Sequence, residues 1–134
     1  MALTHVRIVG SGLIGTSIGL ALSARGVAIT MVDIDPIAQG LAQDLMGGVR
    51  SDSDVQVTVI ASPLSTTSEV IKSLNSTTIN LGFIDISSVK TSPLLEVESS
   101  GFDMAKFLPT HPMAGREVGG AESARGDLFQ GRPW

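Results

Sequence analysis

Cysteine is absent from the 134 residues, which excludes disulfides and thiolate chemistry and leaves the compartment open. Basic residues are scarce: Lys and Arg number 9 against 13 Asp and Glu, for a net charge of -4. They form no run, which argues against nucleic acid as a partner. Charge of either sign is missing from Ile8 to Ala24, between Arg7 and Arg25. Such a stretch imitates a signal peptide ending at Ala21-Leu22-Ser23-Ala24. It is too short and too glycine-rich for a membrane span. A signal sequence also has no need of spaced glycines followed by a strand that ends in Asp. The stretch therefore reads as a buried strand and a half-buried helix of a cytoplasmic protein, with no membrane partner. Repeats and low-complexity tracts are also lacking, and the length suits one domain with a real core.

What is present is organised around Gly10-Ser11-Gly12-Leu13-Ile14-Gly15. Val6-Arg7-Ile8-Val9 before it reads as a strand. Ile14, Ile18, Ala21 and Leu22 after it recur at helical spacing. Strand, G-x-G-x-x-G and helix form the context of a dinucleotide-binding turn. In that reading Gly10 makes the tight turn, Gly12 lets a pyrophosphate approach the backbone, and Gly15 lets helix and strand pack closely. The free N–H groups at the helix start, at Leu13 and Ile14, face the phosphates. An ordinary strand-to-helix turn shows the same glycines. However, a second strand, Ala28-Ile29-Thr30-Met31-Val32, closes on Asp33 at the spacing where a carboxylate meets the ribose. Asp33 accepts from a 2′-hydroxyl and repels a 2′-phosphate, with Asp35 adding to the repulsion. NAD is thus expected over NADP, without a metal; the competing reading of Asp33 is a solvated turn carboxylate.

The rest of the chain alternates in the same way. The first helix is expected to end at Gly26. Asp35-Pro36 reads as an N-cap and first helical position, and Ile37, Leu41 and Leu45 as one apolar face. Gly47-Gly48 ends that helix. Val55 to Ala61 reads as a central parallel strand broken by Ser62-Pro63, and Thr66-Thr67-Ser68-Glu69 as a capping box for a helix with Val70, Ile71 and Leu74. Asn80 to Ile86 is a strand, Ser92-Pro93 opens a helix that ends at Gly101, and Met104 to Leu108 is a strand stopped by Pro109. The expected fold class is α/β, Rossmann-type and doubly wound: a mostly parallel sheet with helices on both faces.

Ligands in such sheets bind beyond the carboxyl ends of the strands. Besides the glycine turn, three stretches fall there: Ala61-Ser62-Pro63, with Ser62 and Pro63 as cofactor contacts; Asp85-Ile86-Ser87-Ser88-Val89-Lys90; and Thr110-His111-Pro112-Met113-Ala114-Gly115. His111 is a candidate base, because imidazole titrates near neutrality, and Pro112 gives it an extended backbone. Ser88 is placed to orient the imidazole or the substrate. A strand-end histidine also serves as a hydrogen-bonded structural residue, and spacing leaves both roles open. His5 reads as structural. Lys90, Arg116, Arg125 and Arg132 suit a carboxylate or phosphates, although Arg125 and Arg132 read better as solvated surface. Met104 and Met113 read as packing residues.

Gly10-Ser11-Gly12-Leu13-Ile14-Gly15-Thr16-Ser17, Asp85 to Lys90, His111-Pro112-Met113-Ala114-Gly115-Arg116-Glu117 with Gly119, and Leu128-Phe129-Gln130-Gly131 together resemble prephenate dehydrogenases, a group that includes arogenate dehydrogenases. The resemblance covers nearly the whole chain in order. It implies NAD-dependent oxidative decarboxylation of prephenate to 4-hydroxyphenylpyruvate on the route to tyrosine. It places on His111 the bond to the ring hydroxyl and removal of its proton. Ser88 bonds the same hydroxyl and the nicotinamide region, and Glu117 helps close the substrate pocket. It also implies a second, mostly helical domain that builds a dimer and supplies an arginine for the substrate carboxylate. The chain reaches Trp134 where the family begins another strand. One NAD-binding domain is therefore expected over 1–134, without that second domain. Three other readings compete: an arogenate dehydrogenase, the nucleotide half of a β-hydroxyacid dehydrogenase or imine reductase, and a non-catalytic NAD-binding module. Nothing in a β-hydroxyacid dehydrogenase or imine reductase demands H-P-M-A-G.

Overall fold

The computed structural model describes residues 2–48, 54–63, 66–74, 82–86, 95, 97–99, 101–113 and 120–133, with Ser68 as main chain only. Ser88, Lys90, Arg116 and Glu117 lie outside these residues. The strands are β1 (His5–Val9), β2 (Ala28–Val32), β3 (Val57–Ile60), β4 (Gly82–Asp85) and β5 (Phe107–Pro109). Between them lie helices α1 (Leu13–Ser23), α2 (Pro36–Leu45) and α3 (Thr67–Leu74). The strands form one parallel sheet in the order β2-β1-β3-β4-β5. From β1 the chain moves outward to β2 and then returns across β1 to β3. The order therefore reverses between β1 and β3, where a doubly wound sheet opens its crevice.

The two faces of the sheet are packed by different residues, because side chains alternate along a strand. Val6, Ile8, Ile29, Met31 and Val59 bury against Ile18 of α1, Ala42 of α2, Met46 and Ala121. On the other face Ile60 and Phe83 bury against Ile71 of α3, Val97 and Phe107. The Phe83 and Phe102 rings meet edge to face, with centroids 5.5 Å apart. Helices thus cover both faces, as the alternation predicts.

Helix ends follow their sequence signals. After α1 the Gly26 N–H bonds the Ser23 carbonyl and the Val27 N–H bonds that of Leu22, with Gly26 at φ 83°. That is a Schellman turn, which needs a residue able to take a left-handed backbone. Gly47, at φ 86°, closes α2 in the same way through bonds from Gly47 to Asp44 and from Gly48 to Gln43. Asp35 caps α2 by accepting the Ile37 N–H, with Pro36 in the first turn. The Thr66 hydroxyl donates to the Pro63 carbonyl and meets Ser62, so it serves the turn after β3.

Three expectations are corrected. Ile37, Leu41 and Leu45 are exposed, and Ala42 and Met46 carry the buried side of α2. A spacing of four identifies a stripe but not which stripe faces the sheet. Met104 to Lys106 is a 3₁₀ turn capped by Asp103, and the strand begins only at Phe107. The Asp103 carboxylate takes the Ala105 N–H and diverts that segment from the ladder. Met113 is exposed rather than packed, whereas Met104 is partly buried against the Phe83 cluster. Within β1, Arg7 is wholly buried between its register partners Thr30 and Thr58 and donates to the Thr58 hydroxyl.

His5 is structural, as expected: its ring nitrogens meet Asp54 and Thr30, each at 2.7 Å. That bond holds the Asp54 carboxyl below its ordinary range. Arg125 pairs with Asp127 at the surface, while its N–H bonds the buried Ser17 hydroxyl of α1. This tie lays the C-terminal segment along α1, where Leu128 is buried and Phe129 packs on the core. Among the described residues no helix is long and apolar enough to cross a membrane.

Candidate dinucleotide site at the mouth of the sheet

β1 ends in a turn pressed against the end of β3. Gly10 sits at φ 104°, and a Cβ there would lie 2.5 Å from the Ala61 carbonyl carbon. Only glycine satisfies both the dihedral and the approach. A Cβ on Gly15 would lie 2.1 Å from the Gly10 carbonyl oxygen and 3.0 Å from the Ala61 Cβ. Gly15 thus brings the first turn of α1 onto the loop and β3, a closer partner than the body of β1. Gly12 is different. It is the N-cap of α1, with ordinary extended dihedrals, and a Cβ there would meet nothing within 4 Å. Its missing side chain keeps space open on the cleft side.

That space belongs to a cleft of about 300 Å³ whose lining includes Gly10, Ser11, Gly12, Asp33, Ser62 and Pro63, with Ile34, Thr66 and Val70 among the rest of its wall. Of the sequence-expected cofactor residues it gathers Gly10, Gly12, Asp33, Ser62 and Pro63. Leu13, Ile14 and Gly15 do not line it. They stand in the first turn of α1, where amides have no partner within the helix. The first helical bond recorded is from the Thr16 N–H to the Gly12 carbonyl. No side chain caps this end and no acidic residue occupies its first turn, so its dipole and amides remain available to an anion. The donor set fits a dinucleotide: open backbone for a pyrophosphate, a carboxylate for a ribose, and Ile34, Pro63 and Val70 as apolar wall.

Asp33 is tightly held. Its Oδ2 accepts the Ser11 N–H at 2.8 Å and the Ser11 hydroxyl at 2.7 Å, and its Oδ1 accepts the Asp35 N–H at 2.9 Å. Its own N–H donates to Gln39 Oε1 at 2.8 Å. Burial pushes its carboxyl upward, but the Ser11 hydroxyl and the Asp35, Ser11 and Ile34 amides outweigh that and leave it below its ordinary range. It is ionised at neutral pH, as ribose recognition requires. Ser11, Ile34, Thr66 and Val70 were not named as cofactor contacts from sequence. For Ile34 a signal existed, its place directly after the acidic residue. For Ser11 there was none, because the motif leaves that position open.

His111 lies outside this cleft's lining and is exposed. The Thr110 N–H and hydroxyl both donate to the Asp85 carbonyl, at 2.7 and 2.9 Å. These bonds tie the end of β5, which leads into His111, to the end of β4, which leads toward Ser88. Ser88 and Glu117 themselves are outside the described residues. The end of β5 is three strand spacings from β1, about 14 Å along the mouth of the sheet. A larger groove of about 350 Å³ lies beside α1, lined by apolar residues apart from Arg25. It offers almost no polar group to a nucleotide.

Residues 18–134 match the family described as "Prephenate dehydrogenase, nucleotide-binding domain". A probable prephenate dehydrogenase, NovF of Streptomyces niveus, is 39% identical over 129 residues, covering 95% of this chain and 36% of that protein. Among solved structures, prephenate dehydrogenase from A. aeolicus, in complex with hydroxyphenyl propionate and NAD+, superposes with a TM-score of 0.80 at 24% identity over 98% of this chain and 49% of that one. Synechocystis arogenate dehydrogenase gives a TM-score of 0.78 at 25% identity, covering 97% and 48%. The chain spans between a third and a half of the relatives it matches.

Proposed function

The chain belongs to the prephenate dehydrogenase family, as its nucleotide-binding domain, and on that premise we propose that it binds NAD and serves the oxidative decarboxylation of prephenate to 4-hydroxyphenylpyruvate on the route to tyrosine. The observation that carries the cofactor reading is the pairing of an open Gly12 with an ionised Asp33 across one cleft. Asp33 and Asp35 disfavour a 2′-phosphate. A like charge at about 4 Å costs between about 1 and 4 kcal/mol, depending on exposure, so NAD is preferred over NADP.

Bound there, NAD supplies the hydride acceptor. The remaining work falls to the chain's own residues. His111 bonds the ring hydroxyl and takes its proton as the hydride leaves the same ring carbon. Ser88 bonds that hydroxyl and helps align it, and Glu117 helps close the pocket. Loss of carbon dioxide then yields an aromatic ring, so positioning the ring against the nicotinamide is the main demand on the protein. The Thr110–Asp85 bonds support this assignment by joining the strand ends that lead to His111 and Ser88. Residues 1–134 act in this reading as one NAD-binding domain. The dimer contacts and the arginine for the substrate carboxylate belong to a helical domain of the family.

Titration with NAD and NADP tests the cofactor reading: NAD binds more tightly, and Asp33→Asn narrows the difference. Tighter NADP binding by the unaltered protein overturns the role of Asp33. For the reaction, residues 1–134 alone give little or no prephenate-dependent NADH formation; in a protein that joins them to the family's helical domain, His111→Asn leaves NAD affinity unchanged and lowers that activity by about 10²- to 10⁴-fold. Arogenate and 3-hydroxy acids are assayed beside prephenate, and a clear preference for either replaces prephenate as the substrate.

A further inference from the structure

We propose that Ser11 is the positioning residue for cofactor selection: its hydroxyl and amide together hold the Asp33 carboxylate in the orientation that receives a ribose 2′-hydroxyl and turns away a 2′-phosphate. The proposal rests on the dinucleotide reading of the cleft and adds to it a residue that the glycine motif does not specify.

Ser11 is almost wholly buried, and none of its polar groups is idle. Its carbonyl accepts the Thr16 hydroxyl at 3.1 Å, and its N–H and Oγ converge on the single oxygen Asp33 Oδ2. The backbone of Ser11 is thus tied to α1 through its carbonyl, and its amide and hydroxyl are tied to the carboxylate. Two donors fill Oδ2. Oδ1 receives the Asp35 amide, and a carboxylate oxygen has capacity for a further donor such as a ribose hydroxyl. Without the hydroxyl, Oδ2 keeps one donor, and the carboxylate gains freedom to turn about its terminal torsion, a broad and weakly restrained rotation. An aligned acceptor then becomes a diffuse negative charge. A diffuse charge discriminates less between a hydroxyl and a phosphate, because alignment rather than charge gives the hydroxyl its bond.

The site is simple enough for a clean reading. Asp33 is the one ionisable side chain among the described residues lining the cleft. The other charge at the turn is Asp35 at the α2 N-cap, of the same sign, and its carboxylate accepts the Ile37 N–H. Removing the Ser11 hydroxyl takes away a bond that holds the Asp33 carboxyl low, while its burial, which pushes the other way, remains. The titration of Asp33 then moves to higher pH, and the acid limb of NAD binding moves with it.

The test is calorimetric titration of the unaltered protein and of Ser11→Ala, Ser11→Gly, Asp33→Asn and Ser11→Ala/Asp33→Asn with NAD and with NADP, from acid to neutral pH. Thermal melting is recorded for each. The ratio of NAD to NADP affinity is expected to fall about tenfold in Ser11→Ala, the size of one hydrogen bond to a charged group. Ser11→Gly, which keeps the amide and removes the hydroxyl, shows the same fall. Adding Ser11→Ala to Asp33→Asn changes the ratio no further, because the two residues act as one unit. A folded Ser11→Ala or Ser11→Gly that keeps the original ratio, or weakens both nucleotides equally, overturns the proposal and leaves the cleft reading intact. Failure of the unaltered protein to bind NAD overturns the cleft reading itself.

Discussion

Gly12 and Gly15 stand three residues apart in one motif, and the structure assigns them opposite sensitivities. Gly12→Ala places a methyl group in open space, at dihedrals any residue adopts. Its effects on stability nearly cancel. Alanine is a poorer N-cap by roughly 0.5–1 kcal/mol, but it reduces unfolded-chain entropy by about 0.4–1 kcal/mol. In the proposed cofactor reading, the methyl stands where a pyrophosphate meets the loop backbone. Losing one hydrogen bond from an amide to a charged oxygen costs about 1.5–3 kcal/mol, or a 10- to 150-fold weaker NAD complex. Gly15→Ala instead puts its Cβ 2.1 Å from the Gly10 carbonyl oxygen, and backbone cannot swing aside as a flexible side chain does. Helix and loop must separate, at a cost of about 1–3 kcal/mol or more. At roughly 4 °C per kcal/mol for a domain of this size, that is a fall of about 4–12 °C in Tm. Thermal melting and NAD titration of both variants check this. Gly12→Ala with unchanged NAD affinity, or Gly15→Ala melting with the unaltered protein, refutes the reasoning.

Other outcomes follow from the same geometry. Phe83, 1% exposed and edge-on to Phe102, anchors the α3 face, so Phe83→Ala costs about 3–5 kcal/mol in urea unfolding. On α2 the exposed Ile37 tolerates Ile37→Gln within about 0.5 kcal/mol, whereas the buried Met46→Ala costs about 2–5 kcal/mol; equal losses would return the buried face to the stripe predicted from spacing. The Asp33 carboxyl is lower in the folded chain than in the unfolded one. It therefore contributes stability above its unfolded pKa of about 3.9, and that stability is lost as pH falls through the lower folded value. Asp33→Asn removes this limb from a plot of melting temperature against pH, and an unchanged acid limb would show that Asp33 is not the group responsible.

Much of the fold was readable because its signals are local. Gly26 and Gly47 take left-handed backbone at the ends of α1 and α2, as a glycine after a periodic run suggests. Asp35-Pro36 starts α2 for reasons internal to four residues. Short apolar runs between helical patterns located five strands, and strand–helix alternation required that they be parallel. The missed start of β5 had a local signal, Asp103, whose carboxylate caps the turn that replaces it. The inward face of α2 and the burial of Arg7 between Thr30 and Thr58 depend instead on partners elsewhere in the chain.

For the site, chemistry and placement were legible to different degrees. Gly10, Gly12, Gly15 and Asp33 were named from spacing, and three of the four line one cleft. Ser62 and Pro63 join them because β3 lies beside β1, which the strand order shows and the linear sequence does not. Ser11 escaped notice because its importance depends on a carboxylate 22 residues away. A residue type at a motif position specifies what its own backbone can do, and on that basis the sequence by itself determined the turns, the helix caps and the family. Which surface of α2 faces inward, which hydroxyl holds Asp33, and which strand ends share a cleft were decided only by tertiary structure. Those are relations between segments, and the free energy that selects them comes from burying two distant pieces of chain against each other.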